Sequence, residues 1–200
     1  RVIPWRDEQL RRASRGFFSR ADAHERAAFT AWCRQEASWL DEYALFMALF
    51  NAHGMKPWWE WSEPLRQRDK KALANARTQH AQEIDFWRFV QWCWDEQCRA
   101  LKQYANGKGI SLIGDIPIYV ADNSADVWSR PDLYELGLDG LPTVIAGVPP
   151  DALGPDGQRW GNPLYRWDRM EVEHYAWWAE RVKRVLAQCD IVRIDHFRGF

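Results

Sequence analysis

The pattern that most limits how this chain can fold lies in its second half, where short apolar runs flank a long amphipathic stretch. Residues 110–113 and 116–120 surround Gly114 and Asp115. Continuous rather than alternating hydrophobicity of this kind marks a strand buried within a parallel sheet. Residues 171–188 place Tyr175, Trp178, Val182, Val185 and Leu186 on one helical face, and 190–194 follow at once as a second strand. Strand, crossover helix and strand make a βαβ unit, which requires a parallel sheet. The expected fold class is therefore α/β.

The first half reads as helices. Residues 22–36 carry Ala28, Phe29, Trp32 and Cys33 at the spacing of one buried helical face. Ser38 and Asp41 resemble a capping box that opens a helix over 39–53, and Gly54 is placed to end it in the left-handed region. Two prolines interrupt KPWWEWSEP. Residues 69–106 then read as one helix with Ile84, Trp87, Val90, Trp94, Cys98, Leu101 and Tyr104 on a drifting stripe, stopped by Asn106 and Gly107. Residues 141–165 show little regular pattern, and their dense glycine and proline usage marks an ordered loop of the functional kind. There is no internal repeat. The domain reading is a mainly helical unit over 1–106 and an α/β unit over 107–200.

Composition excludes several classes. With 46% hydrophobic and 28% charged residues, the 200-residue chain can bury a core. A formal net charge of −1 with intermixed signs lacks the footprint of a nucleic-acid binder. No apolar run approaches the roughly 20 residues of a membrane span, and RVIPWRDEQL is not a signal peptide. The missing initiator Met implies a piece of something longer. Cys33, Cys93, Cys98 and Cys189 show no CxxC pair and no zinc spacing, so a reduced, cytoplasmic protein is expected. Fourteen tryptophans are an excess. Pyranose faces stack on such rings, although most are expected simply to pack helices. The Trp pair of KPWWEW is read the same way, as packing beneath the helical half more than as a sugar platform.

Two strand ends hold polar residues that a core strand does not need. In GDIPIYV, Asp115 interrupts an apolar run; in IVRIDHFRG, Arg193 and Asp195 alternate with Val192 and Ile194 and emerge on one side. A guanidinium beside a carboxylate favours its ionised form, as a nucleophile requires. Taken alone, Arg-x-Asp on a strand is more often a buried ion pair. His196 beside Asp195 could be a metal ligand, but the other four histidines show no ligand spacing and no HxH occurs, so neither metal nor cofactor is expected. DNSADVW reads as a loop-to-helix cap, lacking the oxygen spacing of a calcium loop.

The run IVRIDHFRG, with GDIPIYVADNSADVW, TVIAGVPPD and GQRWGNPLY in the second half and EASWLDEYALFMAL and KPWWEW in the first, resembles the amylomaltase family of 4-alpha-glucanotransferases, glycoside hydrolase family 77. The resemblance spans most of residues 30–200. It implies a partial (β/α)8 barrel of the alpha-amylase clan, with a large helical insertion subdomain over 1–106 and a slice of the barrel over 107–200. It also implies transfer of alpha-1,4-glucan segments between maltooligosaccharides with retention of configuration. Residue by residue, Asp195 falls on the nucleophile, Arg193 on its charge partner, and His196 on a residue touching the sugar at the reacting subsite. Asp115 falls on a strand-end acid that shapes the site, and Asp151, Gln158 and Trp160 on a glucose-holding loop. Ala152, Leu153 and Gly154 depart from the aromatic residues many members place after PPD, so acceptor stacking at that tip is not carried over. Retaining chemistry needs a second carboxyl group, which the resemblance puts on a later strand. The 200 residues alone are therefore expected to be nearly inactive without the remainder of a parent enzyme. A plain alpha-glucan hydrolase and a noncatalytic carbohydrate-binding module are the alternatives.

Overall fold

The computed structural model describes residues 2–150, 152 and 154–200. In chain order the helices and strands are α1 (Val2–Arg20), α2 (Ala23–Gln35), α3 (Ala37–Ala52), α4 (Glu63–Arg66), α5 (Lys70–Gln79), α6 (Ala81–Gly107), β1 (Ile113–Ile116), α7 (Ala125–Ser129), β2 (Ile145–Val148), β3 (Gln158–Pro163), α8 (Trp167–Val172), α9 (Ala176–Gln188) and β4 (Ile191–Ile194). This is a mixed helix and strand chain of the α/β kind. It divides into two compact units, residues 1–55 with 68–98, and residues 56–67 with 99–200.

The first unit is helical. Leu40, Leu45 and Leu49 of α3 are fully buried, and Phe17 of α1 meets Phe29 (5.4 Å), Phe89 (5.3 Å) and Trp92 (5.2 Å) ring to ring. Of the face expected on α2, Phe29 and Trp32 are buried and Ala28 is exposed. Trp32 donates its indole N–H to Asp95 at 3.0 Å, so this ring adds a directional bond to its apolar area. The capping box lies one helix earlier than expected. Asp22 accepts from the Glu25 amide and Glu25 returns the bond to the Asp22 amide, opening α2. α3 begins at Ala37, before Ser38, and Glu36 at its N-cap accepts the Trp39 indole N–H instead. Gly54 ends that helix at φ 65° as expected.

The single helix expected over 69–106 is two. Asp69 caps α5 through the Ala72 amide, the chain turns at His80, and α6 restarts at Ala81. The turn lets each piece bury its own face, Leu73 and Ala76 on α5, Ile84, Phe86 and Phe89 on α6. Trp94, Leu101 and Tyr104 of the expected stripe are exposed.

The second unit carries the sheets. β1 and β4 pair in parallel, Asp115 opposite Arg193 and Ile116 opposite Ile194, with α9 leading into β4. The strand occupies 113–116, between the two apolar runs. Gly114 permits a close approach, since a β-carbon there would sit 2.6 Å from the Cys189 sulfur. Asp190 accepts from the Leu112 amide and from Asn106, both at 2.8 Å, which pins the start of β4. The sheet is less buried than its apolar sequence implies. Ile113, Ile191 and Ile194 are exposed; among the described residues β1 and β4 pair only with each other.

Residues 141–165 hold an antiparallel pair, β2 with β3, where no regular structure was expected. The helix expected over 171–188 breaks into α8 and α9 at His174 and Tyr175, both in the left-handed region, and Tyr175 faces solvent. The tryptophans of KPWWEW do pack, but in the second unit: Trp58 bonds the Asp122 carbonyl (2.9 Å), and Trp61 meets Trp128 edge-on. Ser124 caps α7 through the Val127 amide, as DNSADVW suggested. The four cysteines are free, and no helix among the described residues is long and apolar enough to cross a membrane.

Candidate active site at the strand ends

The site follows from strand register. Because Asp115 and Arg193 are opposite each other in a parallel pair, their side chains emerge on one side of the sheet. Arg193 donates from Nε to Asp115 Oδ1 at 3.1 Å and from Nη2 to Oδ2 at 2.6 Å. This two-point fork holds the Asp115 carboxyl below the usual carboxylate range and raises the guanidinium above its own. Asp115 is thereby kept as an anion. It is a poor proton donor.

Asp195 follows β4 directly. Its Oδ2 lies 3.6 Å from Arg193 Nη2, and its Oδ1 accepts the His196 amide at 3.0 Å. Arg193 was expected chiefly as the charge partner of Asp195. Its closer, two-point partner is Asp115, with Asp195 sharing the outer nitrogen. The Asp195 side chain is half exposed, open to a ligand rather than sealed in packing.

His196 adopts φ 48° and ψ 41°, a left-handed conformation uncommon for a non-glycine residue. Its ring lies 4.6 Å from that of Trp160 on β3, and its Nε2 lies 3.7 Å from Asp195 Oδ2. Gln158, two residues before Trp160 on the same strand, accepts the Trp160 indole N–H at 2.9 Å. The amide N–H₂ of Gln158 remains available as a donor. Asp115, Arg193, Asp195, His196, Trp160 and Gln158 therefore form one connected group. Asp151 lies outside the described residues. No cluster of three or more His, Cys, Asp or Glu arranged for a metal occurs among the described residues.

One neighbour was missed. Tyr119 approaches Trp160 with ring centroids 6.2 Å apart. The sequence held no clear signal for it: β1 ends at Ile116 and the chain bends at Ile118 and Tyr119, where strand alternation no longer fixes the side on which a ring emerges.

The model of glycoside hydrolase family 77, 4-alpha-glucanotransferase, matches residues 1–200. The chain is 50% identical over 199 residues to a 4-alpha-glucanotransferase of Thermus thermophilus, a match covering 100% of this chain and 40% of that protein. It is 41% identical over 192 residues to one of Clostridium butyricum, covering 96% and 39%. In fold it is similar to amylomaltase from Streptococcus agalactiae, solved in complex with acarbose, with a TM-score of 0.91 and 37% identity over 98% of this chain and 39% of that one. The chain thus spans about 40% of the length of the curated relatives it matches.

Proposed function

Because the chain belongs to the 4-alpha-glucanotransferase family, we propose that it forms part of an enzyme that moves alpha-1,4-glucan segments between maltooligosaccharides, with Asp195 as the nucleophile. The observation that carries this reading is the placement of the Asp195 carboxylate: half exposed at a strand end, beside a guanidinium and beside His196, whose ring meets that of Trp160.

In this reading Asp195 attacks the anomeric carbon through an oxocarbenium-like transition state. The glycosidic oxygen departs with a proton from a general acid, leaving a glucosyl ester on Asp195. The hydroxyl of an incoming glucan then attacks the anomeric carbon of that ester, passing its proton to the conjugate base of the general acid, and Asp195 leaves as the carboxylate. Arg193 fixes the local charge and Asp115 anchors Arg193. Trp160 and His196 offer rings, and Gln158 and Asp151 offer polar groups, to hold glucose units. Asp115 is unsuited to be the general acid, since the Arg193 fork keeps it ionised. That acid belongs to the part of the enzyme outside residues 1–200.

Residues 107–200 are read as a slice of a (β/α)8 barrel and 1–106 as its helical insertion. The parallel β1–β4 pair with α9 before β4 supports this, as do the uncovered apolar residues Ile113, Ile191 and Ile194, which further strands would cover. Active residues at the ends of parallel strands suit such a barrel. The enzyme is read as cytoplasmic, which its free cysteines support.

Product analysis tests the reaction. The full-length enzyme containing this chain, given maltotriose, is expected to produce a ladder of longer maltooligosaccharides together with glucose. Shorter products alone would make it a hydrolase, and no turnover would make the site a binding module.

A further inference from the structure

The rings around Trp160 form a continuous path from the interior to the candidate nucleophile. Tyr165 is buried and held at its hydroxyl, which donates to the Ile118 carbonyl at 2.5 Å and accepts from Arg181 Nη1 at 3.1 Å. Arg181 also donates from Nη2 to the Pro117 carbonyl at 2.6 Å, so the segment that follows β1 is tied down at two successive residues. Tyr119 stacks on this fixed ring, with centroids 5.7 Å apart and planes 20° from parallel. Its next neighbour is Trp160, tilted 54° to it, and Trp160 in turn meets His196. At the Tyr119 hydroxyl the chain passes close by. A β-carbon on Gly199 would collide with Ile118 and come within 3.3 Å of Tyr119 Oη.

We infer that Tyr119 is a positioning residue: its ring, braced by Tyr165 and by the turn at Gly199, sets the angle at which Trp160 faces His196 beside Asp195. An indole on a short strand can rotate about two side-chain bonds, and one hydrogen bond to Gln158 does not by itself fix the plane of the ring. Tyr119 supplies that support. It is only half buried, and Tyr165 beneath it has its own anchors at Ile118 and Arg181. The consequence for sugar binding rests on the proposed function; the ring geometry does not.

The test therefore has two independent readouts. In NMR of the full-length enzyme with ring-labelled histidine, the His196 ring C–H signals, assigned by their loss in His196→Gln, carry the ring-current shift of Trp160. Tyr119→Leu is expected to move them toward their positions in Trp160→Ala, and Tyr119→Phe to leave them in place. In transfer kinetics of the full-length enzyme, Tyr119→Leu is expected to raise KM by about threefold to tenfold with kcat within about twofold, with Tyr119→Phe restoring both. Should Tyr119→Leu fail to fold, Tyr119→His carries the same readouts. Unmoved His196 signals in the non-phenyl variants overturn the inference whatever the activity. An unmodified enzyme that transfers no glucan overturns the proposed function and leaves the NMR arm to decide the ring geometry.

Discussion

Arginine–carboxylate pairs and aromatic clusters occur in both units of this chain, and they serve different ends. In the helical unit, Arg11 grips Glu83, Arg68 and Arg77 share Glu42, and Arg88 reaches Asp41, each pair joining residues far apart in sequence. In the second unit, Arg193 serves Asp115 and Asp195 at the ends of two strands, with all three side chains at least half exposed. The aromatics divide likewise. Phe17, Phe29, Phe89 and Trp92 interlock, and Trp32 is only 6% exposed, whereas Trp160 and His196 meet at an accessible edge. The same residue types join packed helices in one unit and stand open to solvent at strand ends in the other.

The two tryptophans give the largest contrast. Trp32→Ala removes a buried ring and its bond to Asp95 and should cost about 3–5 kcal/mol of stability, read by urea denaturation. Trp160→Ala should cost no more than about 1 kcal/mol, yet raise KM for maltooligosaccharides about tenfold. Equal stability losses for the two would break the comparison.

Arg193→Ala comes next. It removes the fork that chiefly depresses the Asp115 pKa, so the Asp115 titration midpoint, followed by carboxyl carbon NMR, should rise. The sign fixes the pH window. A depressed folded-state pKa contributes stability above the unfolded pKa, and that contribution is lost as pH falls through the folded value. Because both partners are exposed the contribution is small, and Arg193→Ala should shift the acid limb of a pH–stability curve only slightly. A marked loss of stability at neutral pH would instead make the pair structural, like those between the helices.

The smallest effect belongs to a local device. Asp22→Ala abolishes the capping box of α2 and should lower the stability of the helical unit by about 1 kcal/mol, read by thermal denaturation. The His196 ring signals should not move. A change at His196 would mean that the division of labour between the units is not clean.

The site was more legible in the sequence than the fold around it. Polar residues inside apolar runs stand out, and Arg193 and Asp195 could be placed on one side of their strand by counting in twos, whereas the meeting of Asp115 with Arg193 depends on the register of β1 and β4. Helix ends marked by local chemistry were legible too, at Gly54 and Ser124. The breaks at His80 and at His174–Tyr175 were not, because no proline or glycine announces them and the packing of each helical piece decides where the turn falls. The β2–β3 pair was hidden in a glycine- and proline-rich segment whose strands are only 4 and 6 residues long. The meeting of Trp160 with His196 across 36 residues, and of both with Tyr119, depends on how β3 lies beside the end of β4.

The central claim is that the Asp195 carboxylate bonds covalently to a glucose carbon, and a trapping experiment tests it directly. A deactivated alpha-glucosyl fluoride forms the ester without a proton donor, because fluoride leaves unprotonated, so the trap reports the nucleophile alone. Peptide mass spectrometry of the treated enzyme should find one glucosyl group on the peptide bearing Asp195 and none in Asp195→Asn. A label on Asp115 or any other carboxylate, or a label that survives in Asp195→Asn, would contradict the assignment.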